Sequence, residues 1–230
     1  MKEIAEFEKV IDTTFKDKSL LRQSVVHRSY LNEHPDFDVH HNERLEFLGD
    51  AVLEIVVTEY LFNQFPETPE GDLTNWRASL VNAKMLALVA KELSIEKFLY
   101  LSKGEAKDKN SKARQYILAN AIEAIIGAIY LDQGIEAAKK FIEERIIFRL
   151  KDILDNKLYL DPKSKFQEKA QEIQKLTPHY KILNETGPDH DKIFEVGVYL
   201  GDEYIAKGKG SSKQEAQVDA AAKGLKKMKW

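Results

Sequence analysis

Glu43, Glu46, Asp50 and Glu54 follow one another at intervals of three, four and four residues in the run His41-Asn-Glu-Arg-Leu-Glu-Phe-Leu-Gly-Asp-Ala-Val-Leu-Glu54. On a helix that spacing stacks the four carboxylates on one face. Like charges four residues apart repel by roughly 0.2–0.5 kcal/mol per pair when solvated. A wet surface tolerates that cost, but here Phe47, Leu48, Val52 and Leu53 crowd the same turns. A second run, Ile117 to Leu131, is apolar nearly all round and reads as a buried central helix. Asn120 and Glu123 are its strongly polar residues and, three apart, they face the same way. An ionised carboxylate left unpaired in a core costs several kcal/mol or moves its pKa until it is neutral. Two compensations are open. One is a buried arginine, such as Arg44 or Arg77. The other is a divalent cation gathered by Glu46 and Asp50 from the first helix and by Asn120 and Glu123 from the second. All-oxygen donors favour Mg2+, with Mn2+ as a substitute, over zinc.

The elements that must carry these residues are legible in the apolar periodicity. Leu20-Leu21 to Val25, Leu45 to Val56, Leu80 to Val89 and Ile117 to Ile126 recur at three- and four-residue intervals. Asn32 to Pro35, Pro66 to Gly71 and Ser102-Lys103-Gly104 punctuate them as turns. Residues 1–155 are therefore expected to be all-α. Asn156 and Pro162 break the pattern, and 156–160 reads as a linker. Residues 161–230 change grammar. Phe166, Ala170 and Ile173 form an apolar helix stripe, and Ser164, Gln167, Glu168 and Gln171 form a polar one. Tyr180 opens a strand, Gly187 to His190 make a turn, and Phe194, Val196, Val198 and Leu200 alternate as a half-buried strand does. Gly201-Asp202 allows a hairpin into a third strand, and Ser211-Ser212 precede an alanine-rich helix running to about Met228. The order is α-β-β-β-α, a small α+β domain.

Composition narrows the function classes. The 230 residues contain no cysteine, which excludes disulfide scaffolds, cysteine-ligated metal sites and thiol nucleophiles. No G-x-S-x-G, Walker or dinucleotide pattern occurs. His27, His34, His40 and His41 lack the paired helical spacing of a zinc site. The acidic, mixed start and the absence of a bilayer-length apolar run predict a soluble, cytoplasmic protein without membrane contact. The net charge of −3 hides an asymmetry: residues 161–230 hold 13 lysines, no arginine and 11 acids. An acidic body with a basic end fits a polyanion-binding appendage, and equally a solvated lysine-rich helix.

The run Glu43-Arg-Leu-Glu-Phe-Leu-Gly-Asp50 resembles the signature of the ribonuclease III family. His27-Arg28-Ser29-Tyr30, Glu70-Gly71-Asp72-Leu73 and Glu123-Ala-Ile-Ile-Gly127 ahead of Tyr130-Leu131-Asp132 add to the likeness. The α-β-β-β-α segment looks like a double-stranded-RNA-binding domain. The resemblance spans essentially the whole chain. It implies an endonuclease domain followed by an RNA-binding domain, in a homodimeric, Mg2+-dependent enzyme. Such an enzyme cuts both strands of an RNA duplex to 5′-phosphate and 3′-hydroxyl ends with short 3′ overhangs, in the processing of ribosomal and messenger RNA precursors. By motif position Glu46, Asp50, Asn120 and Glu123 match the metal-binding quartet, with Asp50 and Glu123 the catalytic pair. Glu43 and Glu70 match ancillary acidic positions, and Phe47 an aromatic that packs into the partner subunit. In the second domain Ser164, Gln167, Glu168 and Gln171 suit 2′-hydroxyl groups, His190 the next minor groove, and Lys209 and Lys213 the intervening phosphates.

One departure stands out: the position of Asn120 is usually Asp in the family. An amide oxygen can bind a cation or orient its water but adds no charge. Two readings follow: a tolerated variant that still cleaves, or a duplex-RNA-binding protein whose cleavage is impaired or lost. A helical phosphohydrolase acting on small substrates is a third, which the basic second domain disfavours.

Overall fold

The computed structural model describes residues 4–109, 111–159, 161–188 and 192–230. The chain divides into two compact units, Met1–Tyr159 and Leu160–Trp230. Among the described residues no helix is long and apolar enough to cross a membrane.

The first unit is helical: α1 (Ile4–Ile11), α2 (Lys18–Ser24), α3 (Arg28–Glu33), α4 (Glu43–Gln64), α5 (Glu70–Val81), α6 (Ala83–Glu92), α7 (Lys103–Lys107), α8 (Lys112–Gln133), α9 (Ile135–Arg145) and α10 (Leu150–Asp155). The run expected to be a buried central helix is α8, in which Leu118, Ile122, Ile125, Ile126 and Ile129 are fully buried. It packs against α4, α6, α2 and α9, so almost every side chain of its middle turns meets protein rather than water. Ser111 caps its start by accepting the Arg114 backbone N–H, and Gly134 (φ +85°) ends it. Two expectations need correction. Ser102-Lys103-Gly104 is not only a turn: Ser102 accepts the Glu105 N–H and starts α7. Glu70 and Gly71 likewise form the first turn of α5 rather than a loop.

The second unit runs α11 (Pro162–Gln174), β1 (Pro178–Thr186), β2 (Ile193–Leu200), β3 (Glu203–Gly210) and α12 (Lys213–Met228). Its three strands form an antiparallel sheet in the order β1-β2-β3, with Tyr180 opposite Val198 and Val196 opposite Gly208. Asp161 caps α11 just ahead of Pro162, and Ser212 caps α12. Phe166 and Ala170 of α11, Val198, Leu200 and Ile205 of the sheet, and Ala220 and Ala221 of α12 make the core. Ile173, expected on the same apolar stripe, is 55% exposed, because that core ends at Ala170 and the last turn of α11 extends beyond it.

Candidate functional site

Helices α4 and α8 cross with their backbones in contact. A Cβ built on Gly49 would stand 1.7 Å from the carbonyl oxygen of Glu123, and one on Gly127 would stand 2.2 Å from that of Leu45. Only hydrogen fits at either position. The crossing fixes the neighbours of those glycines: Glu46 and Asp50 on α4 come beside Asn120 and Glu123 on α8. The start of α4 is pinned by buried Asn42, whose backbone N–H donates to Val26 O (2.9 Å) and whose amide donates to Ser24 O (3.2 Å).

The acidic stripe read from the sequence splits into parts with different partners. At one end Glu43 faces Arg28 (3.7 Å) and His41 (3.8 Å). At the other, Glu54 pairs with Arg77 (3.0 Å). The middle pair has no such relief. Burial pushes the Glu46 carboxyl above its usual range; hydrogen bonding with Asn120 offsets part of this, and the Glu43 and Asp50 charges add to it. Glu123 is pushed up to about 8, first by burial and then by the Asp50 and Glu46 charges. Of the two arginines that could have neutralised it, Arg77 is held by Glu54 and Thr58, and Arg44 is exposed. Among the described residues no Lys, Arg or His forms an ion pair with Glu123.

A half-buried carboxylate raised by two more carboxylates, with an amide oxygen in the same group, is a donor set short of positive charge. Its chemistry fits a hard divalent cation. Among the described residues no group of three or more His, Cys, Asp or Glu side chains is already arranged to hold a metal ion. Glu70 is not among the groups whose charges raise Glu46 and Glu123, which are Glu43, Glu46 and Asp50. It is exposed at the start of α5 and accepts from Thr74 Oγ1 (2.9 Å).

Phe47, next to Glu46, is 82% exposed. Beside it opens a hollow of about 790 Å³ whose lining includes Leu20, Leu45, Leu48 and Leu131. In the second unit Ser164, Gln167, Glu168 and Gln171 are all exposed on α11. Ser164 Oγ is engaged by the capping carboxylate of Asp161, and Gln171 reaches Thr177 Oγ1 at 3.5 Å. Lys213 is exposed at the start of α12, its ammonium 5.8 Å from the Phe194 ring centroid. Lys209 is exposed too, but its ammonium lies 3.4 Å from Glu195. His190 lies outside the described residues. Sequence reasoning missed Gly49, Gly127 and Asn42. The glycines stand inside the informative motifs, but their role depends on the facing helix, which no spacing within one helix reveals.

Comparison with known proteins matches residues 17–150 to the family model described as Ribonuclease-III-like and residues 162–228 to the double-stranded RNA binding motif. The chain is 45% identical over 226 residues to Ribonuclease 3 of Carboxydothermus hydrogenoformans, covering 98% of this chain and 96% of that protein. It is 42% identical to Ribonuclease 3 of a Nitratiruptor species over 229 residues, covering all of this chain and 98% of the relative. Among solved structures, a nuclease domain of ribonuclease III from Campylobacter jejuni, described for flexibility in a region involved in dimer formation, aligns at 41% identity with a TM-score of 0.53. That alignment covers 62% of this chain and 98% of the domain.

Proposed function

The chain belongs to the ribonuclease III family, and on that premise we propose that it is an endoribonuclease hydrolysing both strands of duplex RNA with a divalent cation, Mg2+ or in its place Mn2+. The observation that carries this reading is the glycine-mediated crossing of α4 and α8, which gathers an uncompensated set of carboxylates on a chain that also holds a double-stranded RNA binding motif. Glu46, Asp50, Asn120 and Glu123 would hold the cation, with Asp50 and Glu123 the catalytic pair. Such an ion supplies a Lewis acid for the phosphate and lowers the pKa of water.

The residues of the chain account for the rest. The acidic cluster alone repels RNA phosphate, so duplex affinity has to come from the second unit. Its exposed α11 stripe offers neutral donors and acceptors to 2′-hydroxyl groups in the wide minor groove of A-form RNA. Lys213, and Lys209 where a phosphate competes with Glu195, address the backbone. Glu43 and Glu70 remain ancillary in this reading, Glu43 within electrostatic reach of Glu46 and Glu70 at the start of α5. Hydrolysis would leave 5′-phosphate and 3′-hydroxyl ends with short 3′ overhangs, in the processing of precursor RNAs.

Phe47 supports a homodimer. An exposed aromatic beside a partly apolar hollow on the same surface is self-complementary across a two-fold axis, since each copy offers what the other receives. Two copies would bring one cutting centre to each strand.

Asn120 motivates a second reading, in which duplex RNA is bound with impaired or no cleavage. Its side chain hydrogen-bonds with Glu46 where an aspartate would add another negative charge. One experiment separates the two: labelled duplex offered to the wild type, Glu123→Gln and Asn120→Asp. The main reading expects cutting by the wild type, binding without cutting by Glu123→Gln, and a lower Mg2+ requirement for Asn120→Asp. Cutting by Asn120→Asp alone selects the second reading, and Mg2+-dependent cutting by Glu123→Gln removes Glu123 from the site.

A further inference from the structure

Arg114 sits in the first turn of α8, ahead of Asn120 and Glu123 on the same helix, and is 6% exposed. Its Nε donates to Glu96 Oε1 at 3.1 Å, but its buried Nη1 has no hydrogen-bond partner. Buried donors are ordinarily satisfied by a hydrogen-bond partner, so an unpaired one marks a place for a ligand or water oxygen. Arg114 lines a cavity of about 730 Å³, within the size range of small-molecule sites.

The lining of that cavity is unlike that of the acidic cluster. Lys97 and Lys109 contribute exposed ammonium groups that form no ion pair among the described residues, and Glu96 is the one carboxylate on the wall. Arg22 is bound to Asp38 at 2.7 Å and lies over the Phe37 ring at 4.5 Å. The start of α8 adds the partial positive charge of a long helix. Three aromatic rings line the same cavity. Tyr30, Phe37 and Tyr100 meet edge-on or tilted with centroids 5.1–5.2 Å apart, while His34 stacks on one face of Tyr30 at 4.0 Å and Arg22 covers one face of Phe37. Cations that favour phosphate and rings that favour a base therefore share one cavity.

We propose that this cavity binds a nucleoside phosphate, its base against Tyr30, Phe37 and Tyr100 and its phosphate against Arg114, Lys97 and Lys109. The site is separate from the acidic cluster: none of Glu46, Asp50, Asn120 or Glu123 lines it. It does not rest on the nuclease assignment. The ligand is a free mononucleotide or the 5′-phosphorylated end of an RNA strand, which present the same chemistry.

The test is calorimetry on the full chain without divalent cations, so that the acidic cluster does not recruit phosphate. The probes are AMP, adenosine, inorganic phosphate and a 5′-phosphorylated trinucleotide. AMP is expected to bind at least about tenfold more tightly than adenosine or phosphate, since each lacks one half of the recognition. Replacing both exposed lysines, Lys97→Gln with Lys109→Gln, should weaken AMP by about tenfold or more and leave the thermal midpoint unchanged. Trinucleotide affinity equal to that of AMP assigns the site to a strand end, and weaker affinity assigns it to a free nucleotide. No AMP binding at millimolar concentration overturns the proposal. So does phosphate binding as tightly as AMP, or AMP affinity unchanged in the double variant. Because neither lysine is buried, the double variant reports on binding even where Arg114→Lys fails to fold.

Discussion

Gly49→Ala sets two physical effects against each other. In a helix interior, alanine is favoured over glycine by about 1 kcal/mol. At this crossing, however, the added methyl would lie 1.7 Å from the Glu123 carbonyl oxygen and 2.9 Å from the Gly127 nitrogen. An ordinary carbon–oxygen approach is about 3.3–3.6 Å, so α4 and α8 must part by roughly 1.5 Å. The obstructing atoms are backbone and cannot rotate aside. Overpacking of this kind typically costs about 1–3 kcal/mol, occasionally more, and a backbone clash belongs at the upper end. The net effect is destabilisation by about 2 kcal/mol, which lowers the thermal midpoint by roughly 4–8 °C in a domain of this size. The same displacement spreads Glu46 and Asp50 from Asn120 and Glu123. A misplacement of about 1 Å can cost a hundredfold in rate, so cleavage should fall by about that factor. Gly71→Ala supplies the control: a methyl there meets nothing within 4 Å, which leaves only the helix preference. The assays are thermal denaturation and single-turnover cleavage of one RNA duplex. A midpoint that rises in Gly49→Ala as it does in Gly71→Ala, with cleavage intact, would refute the close crossing as the device that assembles the site.

Other perturbations reach the remaining parts of the account. Glu123 is raised from 4.5 to about 8, so below that pH a cation must displace its proton. Apparent Mg2+ affinity, measured by calorimetry, should therefore fall about tenfold for each pH unit below about 8 and level off above it; affinity that stays flat from pH 6 to 8 would show that Glu123 does not face the ion. Phe47→Ala should weaken self-association by about thirtyfold, the loss of an interface anchor worth about 2 kcal/mol, and sedimentation that leaves the oligomeric state untouched would reassign the residue. Lys213→Glu should weaken all duplexes alike and reduce the slope of log affinity against log salt by about one or more. A change in which sequences bind, rather than how tightly, would argue against a phosphate contact.

How much of this was legible in the residues follows from where each kind of information resides. The apolar surround of Asn120 and Glu123 exposes α8 as a buried helix, because periodicity is a local property. Clean alternation from Phe194 to Leu200, the Gly201 turn and the Ser212 cap likewise read correctly as β2, a hairpin and α12. The stripe from Glu43 to Glu54 announces acidity but not its division, since Arg28 and Arg77 arrive from other helices to neutralise its ends. Gly49 and Gly127 depend on the facing backbone. Ile173 shows the reverse case, a residue with the right spacing on a turn that outruns its core. Arg114 gives no signal at all in sequence, because an arginine near a helix start looks solvated until its burial is known.

The central claim is that the carboxylates gathered where α4 crosses α8 cut duplex RNA with the aid of a divalent cation. The direct measurement incubates the full chain with an end-labelled RNA duplex, the matching single strand and the matching DNA duplex, each with and without Mg2+. The account predicts cutting of both strands of the RNA duplex alone, and only with Mg2+. Cutting of the duplex without any divalent cation, or binding with no cutting at any Mg2+ concentration, would contradict it.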